Sequence, residues 1–313
     1  MSTAPQATSR IPDYLCALVD DAAIFPPRNA PLPEAVTAHR RHRAAEYADL
    51  LGAFVVSDAH LGELLEQVST SSAAAALPVT VVVQGGAGAI EPAVAWATRS
   101  GTLELRSIEI ALRGSETSDL PHNARRVVIA VEQLVAAGEL DGDVAVYVEP
   151  PRLHDSGPGH GWLAALDEIA ATDLRLKFRT GGADHDAFPS AGELAAGVAA
   201  ALDREVRFKC TAGLHHALRH RDEGTGFEHH GFLNVLLATR ASLDGASAVD
   251  VAAVLELTDP DAVRRMVADA EDGLTGARRW FDSFGSCSVL EPLEDLVGLD
   301  LLPAGLTGSL ERA

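Results

Sequence analysis

Two short runs near the middle of the chain, LRLKFRTGG at residues 174–182 and VRFKCTAGLHH at residues 206–216, restrict its possible folds more than any other stretch. Each begins as an apolar-rich run, places a lysine near its end and breaks into a glycine-containing loop, the way a strand delivers a side chain to a rim. On a strand, alternate residues share a face, so Arg175, Lys177 and Arg179 oppose Leu176 and Phe178. In the second run Arg207, Lys209 and Thr211 oppose Val206, Phe208 and Cys210. The interval at 188–203 carries Pro-Ser and then an Ala/Leu/Val pattern, which predicts a helix capped by Ser190. Strand, helix and strand of this length form a parallel crossover unit, which lets the two strands lie side by side.

Lys177 and Lys209 then stand at matching heights on strands about 4.8 Å apart. Two ammonium groups so placed oppose each other's charge, so one amine is expected to titrate low and serve as a nucleophile toward a carbonyl. The ordinary alternative is a pair of solvated strand ends, or lysines neutralised by Asp and Glu.

The 313 residues, 47% of them hydrophobic, suffice for one barrel-sized domain with a large core. A net charge of −20 argues against nucleic acid or an anionic membrane as partner, because both reward clustered Lys and Arg. Cys16, Cys210 and Cys287 are scattered without metal-ligand spacing, and Cys210 and Cys287 read as packing residues. The N-terminal MSTAPQATSR lacks an apolar signal core, and the apolar run at 73–83 is too short to span a bilayer. A cytoplasmic location is expected.

Taken in order, strand-like and helix-like segments alternate with no linker between domains. Strands are expected at 11–19, 50–56, 79–83, 103–112, 143–148 and 279–284, besides the two lysine strands. Helices are expected at 34–43, 59–68, 91–99, 121–137, 162–171, 231–243, 248–256, 260–271 and 290–296, besides the one between the lysines. The cluster Gly85, Gly86, Gly88 lies between strand and helix, but its spacing does not suit a dinucleotide and reads as a tight turn. The pattern fits an α/β chain forming a single (β/α)8 barrel, with an open doubly wound sheet as the other possibility and a connection of roughly sixty residues before the last strand.

In a barrel the residues at strand ends converge on one mouth. The set so assembled contains the acids Asp20, Asp21, Glu109 and Glu149 and the bases Lys177, Arg179 and Lys209. With them come Gln84, His215, His216, Ser286 and Ser288.

The order and identity of these residues resemble the deoxyribose-phosphate aldolases, class I aldolases on a (β/α)8 barrel. LVDDAAIFPPRNAPLPEAV is similar to that family's first strand and loop, VTVVVQGG to its third strand, SIEIAL to its fourth and VYVEPPRL to its fifth. KFRTGG resembles the Schiff-base strand and FKCTAG the strand after it, which implies imine formation at Lys177 and the second lysine at Lys209. SFGSCSVL resembles the family's phosphate turn, which implies that role for Gly285, Ser286 and Ser288. Glu109 stands where the family carries an aspartate, Arg179 replaces a small residue, and GLHH occupies a usually glycine-rich turn.

The resemblance implies a carbon–carbon lyase that forms a lysine imine with a small carbonyl substrate and needs no cofactor and no metal. Lys177 attacks, Lys209 depresses its proton affinity, and Glu109 with Asp20 carries protons. Arg179, together with Glu149, His215, His216 and the serine turn, would bind the substrate, an anionic handle included. A different class of reading uses His215, His216, His229 and His230, with His220 nearby, to hold a divalent metal for a hydrolase or lyase, although neither HxH nor HExxH occurs. A third is a barrel that only binds a ligand. A homo-oligomer is expected from the habit of barrels to associate.

Overall fold

The computed structural model describes residues 10–69, 75–113, 119–153 and 157–306. The leader reading of the N-terminus and most of the alanine-rich connection before residue 77 fall outside them. Eight parallel strands close a barrel: β1 (Val19–Asp21), β2 (Leu51–Ser57), β3 (Leu77–Val83), β4 (Leu103–Ala111), β5 (Ala145–Glu149), β6 (Arg175–Arg179), β7 (Phe208–Thr211) and, after a separate hairpin of β8 (His220–Arg221) and β9 (Glu228–His229), β10 (Phe281–Ser286). Around the ring the order is β1-β10-β7-β6-β5-β4-β3-β2, and β2 closes onto β1.

Helices follow the strands as a (β/α)8 barrel requires: α1 (Leu32–Ala44), α2 (Leu61–Ser69), α3 (Ile90–Ala97), α4 (Leu120–Ala136), α5 (His160–Ala170) and α6 (Ala191–Leu202). The enlarged connection between β7 and β10 holds the hairpin and then α7 (Phe232–Leu243), α8 (Ala248–Leu255), α9 (Pro260–Asp269) and α10 (Glu271–Ala277), before α11 (Leu290–Gly298) ends the ring. None of the described helices is long and apolar enough to cross a membrane.

The apolar core lies between the outer barrel face and the helices. Leu176 and Phe178 point outward as alternation requires, and the Phe178 ring meets Phe208, which meets Phe281, each at 5.4 Å between centroids. Gly197 of α6 faces the Phe178 ring, where a Cβ would stand 3.5 Å away, an ordinary van der Waals contact. Inside the ring, in place of the branched aliphatic filling usual for this fold, sit the buried Asp20, Ser107, Glu109, Tyr147, Glu149, Lys177 and Lys209.

The first strand differs from expectation. Residues 11–19 do not form it: Asp13–Leu15 make a 3-10 turn, Ala17 turns back with φ of 49°, and only Val19–Asp21 pair in the sheet. The reason is legible in the spacing, since the buried Ile11, Tyr14, Leu15 and Leu18 follow a helical rather than an alternating period, and Pro12 has no N–H to donate. The last strand runs two residues later than expected, so Gly285 and Ser286 belong to the strand and not to the turn after it. The Gly85–Gly88 stretch is indeed a turn, with Gly86 at φ of 78°.

Ser190 caps α6 as predicted. Its hydroxyl accepts from the Glu193 N–H at 3.2 Å and the Glu193 carboxylate accepts from the Ser190 N–H at 2.6 Å. Ser190→Ala should therefore lower the unfolding free energy by about 1 kcal/mol, read as a lower denaturant midpoint at unchanged slope.

Candidate active site

Strand β6 turns Lys177 into the barrel, and the β6–β7 register sets Lys177 opposite Lys209. Both are buried, at 3% and 0% exposure. What alternation alone does not show is that carboxylates lie between the amines. Lys177 Nζ donates to Glu109 at 2.8 Å and lies 2.7 Å from Glu149. Lys209 Nζ lies 2.7 Å from the other oxygen of Glu109 and 2.5 Å from Asp20. Arg179 Nε donates to Glu149 at 2.8 Å from the half-exposed end of β6. The groups run Arg179, Glu149, Lys177, Glu109, Lys209, Asp20, with signs alternating and summing to zero. The expectation of two amines straining each other is corrected accordingly: they share one carboxylate.

The charges are fixed by what surrounds them. Burial alone would raise the Glu109 carboxyl, but the ammonium groups of Lys177 and Lys209 outweigh it and bring the group down to about 2. Burial would likewise lower the Lys209 amine, and Asp20 and Glu109 hold it above its usual value. Glu149, raised by burial, is brought below the ordinary carboxylate range by Lys177 and Arg179. Asp20 is itself clamped: Oδ1 accepts from the Ala53 N–H at 2.9 Å and Oδ2 from the Ser283 hydroxyl at 2.7 Å. Position 52 must be glycine for this, because a Cβ there would sit 2.1 Å from Asp20 Oδ1. Lys209 Nζ also stands 5.2 Å from the centre of the Tyr147 ring, a favourable cation–π placement.

The other expected residues fall into separate neighbourhoods. Asp21, next to Asp20 on the strand, points outward and accepts from His39 of α1 at 2.9 Å. Gln84 lies exposed beyond β3. His215 is near the end of β10, with Nδ1 3.3 Å from Glu291, 3.4 Å from Ser286 Oγ and 3.6 Å from Cys287 Sγ. Burial would lower this imidazole, and Cys287 and Glu291 instead raise it to about 9. His216 faces Asp295 of α11 at 3.1 Å. Ser286 Oγ donates to the Ser288 carbonyl, and Ser288 Oγ accepts from the Glu291 N–H at the start of α11. The serines expected as a phosphate turn are thus engaged within their own turn, and Gly285 lies in β10 between Asp20 and Thr211.

The histidines do not gather as metal ligands. His230 meets the Pro189 carbonyl at 2.8 Å and His229 the Gly213 carbonyl at 3.2 Å. Among the described residues no group of three or more His, Cys, Asp or Glu is placed to hold a metal ion.

One signal in the sequence marks the site and goes beyond spacing. Of the 25 basic Lys and Arg residues only two are lysines, and they are Lys177 and Lys209. Arginine serves every other cationic position, and it cannot supply a neutral amine. Residues not expected at the network are Ser283 and Tyr147, which alternation along β5 and β10 could have suggested. Compared with known proteins, the chain matches no family model, no curated protein and no solved structure.

Glu109→Gln leaves two buried ammonium groups short of a counter-charge and should cost about 3–5 kcal/mol of stability at neutral pH. Because the folded-state value is depressed from 4.5 to about 2, the carboxylate's contribution is present above 4.5 and lost as pH falls toward 2. The stability gap between the variant and the parent, measured by urea unfolding, should therefore narrow across that interval.

Proposed function

We propose that the protein is a class I aldolase-like lyase that forms a Schiff base between Lys177 and a small aldehyde or ketone. The observation carrying this reading is the placement of the chain's two lysines: both buried at one height inside a parallel barrel, with Lys177 held between two carboxylates near the C-terminal ends of the strands, where barrel enzymes keep their chemistry. The resemblance of KFRTGG and FKCTAG to the Schiff-base strands of deoxyribose-phosphate aldolases supports the same assignment.

In this reading Lys209 is the permanent cation, kept charged by Asp20 and Glu109. The Lys177 ammonium passes its proton to Glu149 or Glu109, and the free amine adds to the carbonyl carbon. Loss of water, with a carboxylic acid protonating the departing hydroxyl, gives the iminium. That cation accepts the electron pair of the breaking carbon–carbon bond as a carboxylate removes the proton from the β-hydroxyl. Protonation of the enamine and hydrolysis return Lys177. Arg179, half-exposed at the mouth, suits a carboxylate or phosphate on the far end of the substrate.

Incubation with acetaldehyde, glycolaldehyde or dihydroxyacetone and cyanoborohydride tests this. One covalent increment per chain is expected, mapped by peptide mass spectrometry to Lys177 and absent in Lys177→Met. Glu149→Gln should slow the trapping by about 10²-fold or more. Labelling confined to the N-terminal amine or to Lys209 contradicts the proposal.

A further inference from the structure

Parallel strands bring all their starts to one end of the barrel, and an arginine lies near the start of most of them. Arg43 lies in the last turn of α1, ahead of β2, Arg106 lies in the first half of β4, Arg175 opens β6, Arg207 immediately precedes β7, and Arg278 lies three residues before β10. These five line a cavity of about 460 Å³ at the N-terminal mouth, opposite the end where Glu149 and Arg179 sit. Its deeper wall includes Thr80, Ser107, Tyr147, Ser283 and the Lys209–Asp20 pair.

The charge there is unbalanced. Among the lining residues, Lys209 and the five arginines outnumber Asp20, Asp143 and Asp282 by three, in a chain whose net charge is −20; beyond the lining, Glu104 pairs with Arg106 and Glu109 with Lys209. A single carboxylate, Asp282, accepts from Arg175 at 2.9 Å, Arg207 at 2.8 Å and the Tyr147 hydroxyl at 2.7 Å. Among the described residues Arg278 bonds only carbonyl oxygens, those of Cys16, Phe281 and Asp282, and its buried Nε has no hydrogen-bond partner. Burial lowers its proton affinity, a cost that an anion in the cavity would offset. Among the described residues Arg43 hydrogen-bonds only the Leu51 carbonyl, at 3.4 Å, and Arg106 reaches an exposed Glu104 on its own strand. Both side chains are exposed, so the Arg43 fork can turn toward a ligand and the Arg106 fork can do so by exchanging Glu104 for it.

We propose that this N-terminal mouth is a binding site for a small polyanion, a metabolite carrying phosphate or several carboxylates. The volume falls within the ~300–1,000 Å³ of small-molecule sites, and a narrow cleft concentrates the field of one sign. Planar guanidinium groups converging from several strands match the oxygens of phosphate and carboxylate. The site shares Lys209 with the amine network but does not depend on imine chemistry.

Isothermal titration calorimetry with inorganic phosphate, pyrophosphate and citrate tests it on the full-length protein. Saturable binding is expected, tighter for pyrophosphate or citrate than for phosphate and weakening as salt is added. The double variant R43E/R106E alters two exposed side chains outside the barrel interior and should fold, as circular dichroism would verify. It should weaken binding by at least about tenfold. Arg126→Glu, beside the Gly85–Gly88 turn at the opposite end of β3, should leave binding unchanged. Absence of saturable binding for all three anions, an unchanged affinity in the double variant, or an equal loss in Arg126→Glu would each overturn the proposal.

Discussion

A carboxylate held between two ammonium groups inside a closed ring of strands is the interaction on which the rest of this structure depends. Each ion taken out of water costs several kcal/mol, and only a partner of opposite sign at hydrogen-bond distance offsets it. Glu109 supplies that partner to Lys177 and Lys209 at once, and Asp20 and Glu149 complete the compensation on either side. The fold is arranged around this need. Gly52 gives up a side chain to let Asp20 in, Ser283 and the Ala53 N–H hold it, and the aliphatic filling common to such barrels is moved to the outer face against the helices.

The same arrangement separates two roles that a pair of lysines could otherwise confuse. Lys209 is enclosed by Asp20, Glu109 and the Tyr147 ring, an environment that favours its charged form. Lys177 contacts the carboxylates nearest the C-terminal ends of the strands, and Glu149 links it to Arg179 at the exposed rim. Under the proposed imine chemistry the reactive amine has to reach substrate, and of the two lysines it is Lys177 that Glu149 links to that rim. At the other end of the barrel five arginines collect around Asp282, Asp143 and the Lys209–Asp20 pair.

Much of this was legible in the sequence because alternation is local. The runs around Lys177 and Lys209 state their inward and outward faces within five residues, and Ser190 with Glu193 announces the intervening helix. What connects the amines was not legible, since it depends on closure of the ring: Glu109 is 68 positions from Lys177, and Asp20 is 189 from Lys209. Where structure and sequence pattern part, local geometry explains the difference. Asp20 and Asp21 cannot both face the mouth, because adjacent strand residues face opposite ways. The spacing of Ile11, Tyr14, Leu15 and Leu18 is helical, and a 3-10 turn stands where a strand is expected. His215 and His216 are neighbours in the chain, yet the loop directs them to different acids of α11, Glu291 and Asp295.

Because the chain contains only two lysines, lysine-selective nitrogen-15 NMR observes the central network without interference. The signal lost in Lys209→Arg should remain that of an ammonium group beyond about 10.4, where a free lysine is half neutral, for as long as the protein stays folded. If that nitrogen instead becomes neutral at or below the value of free lysine, the amine is not enclosed by Asp20 and Glu109, and the charge network described here is not the organising feature of the barrel.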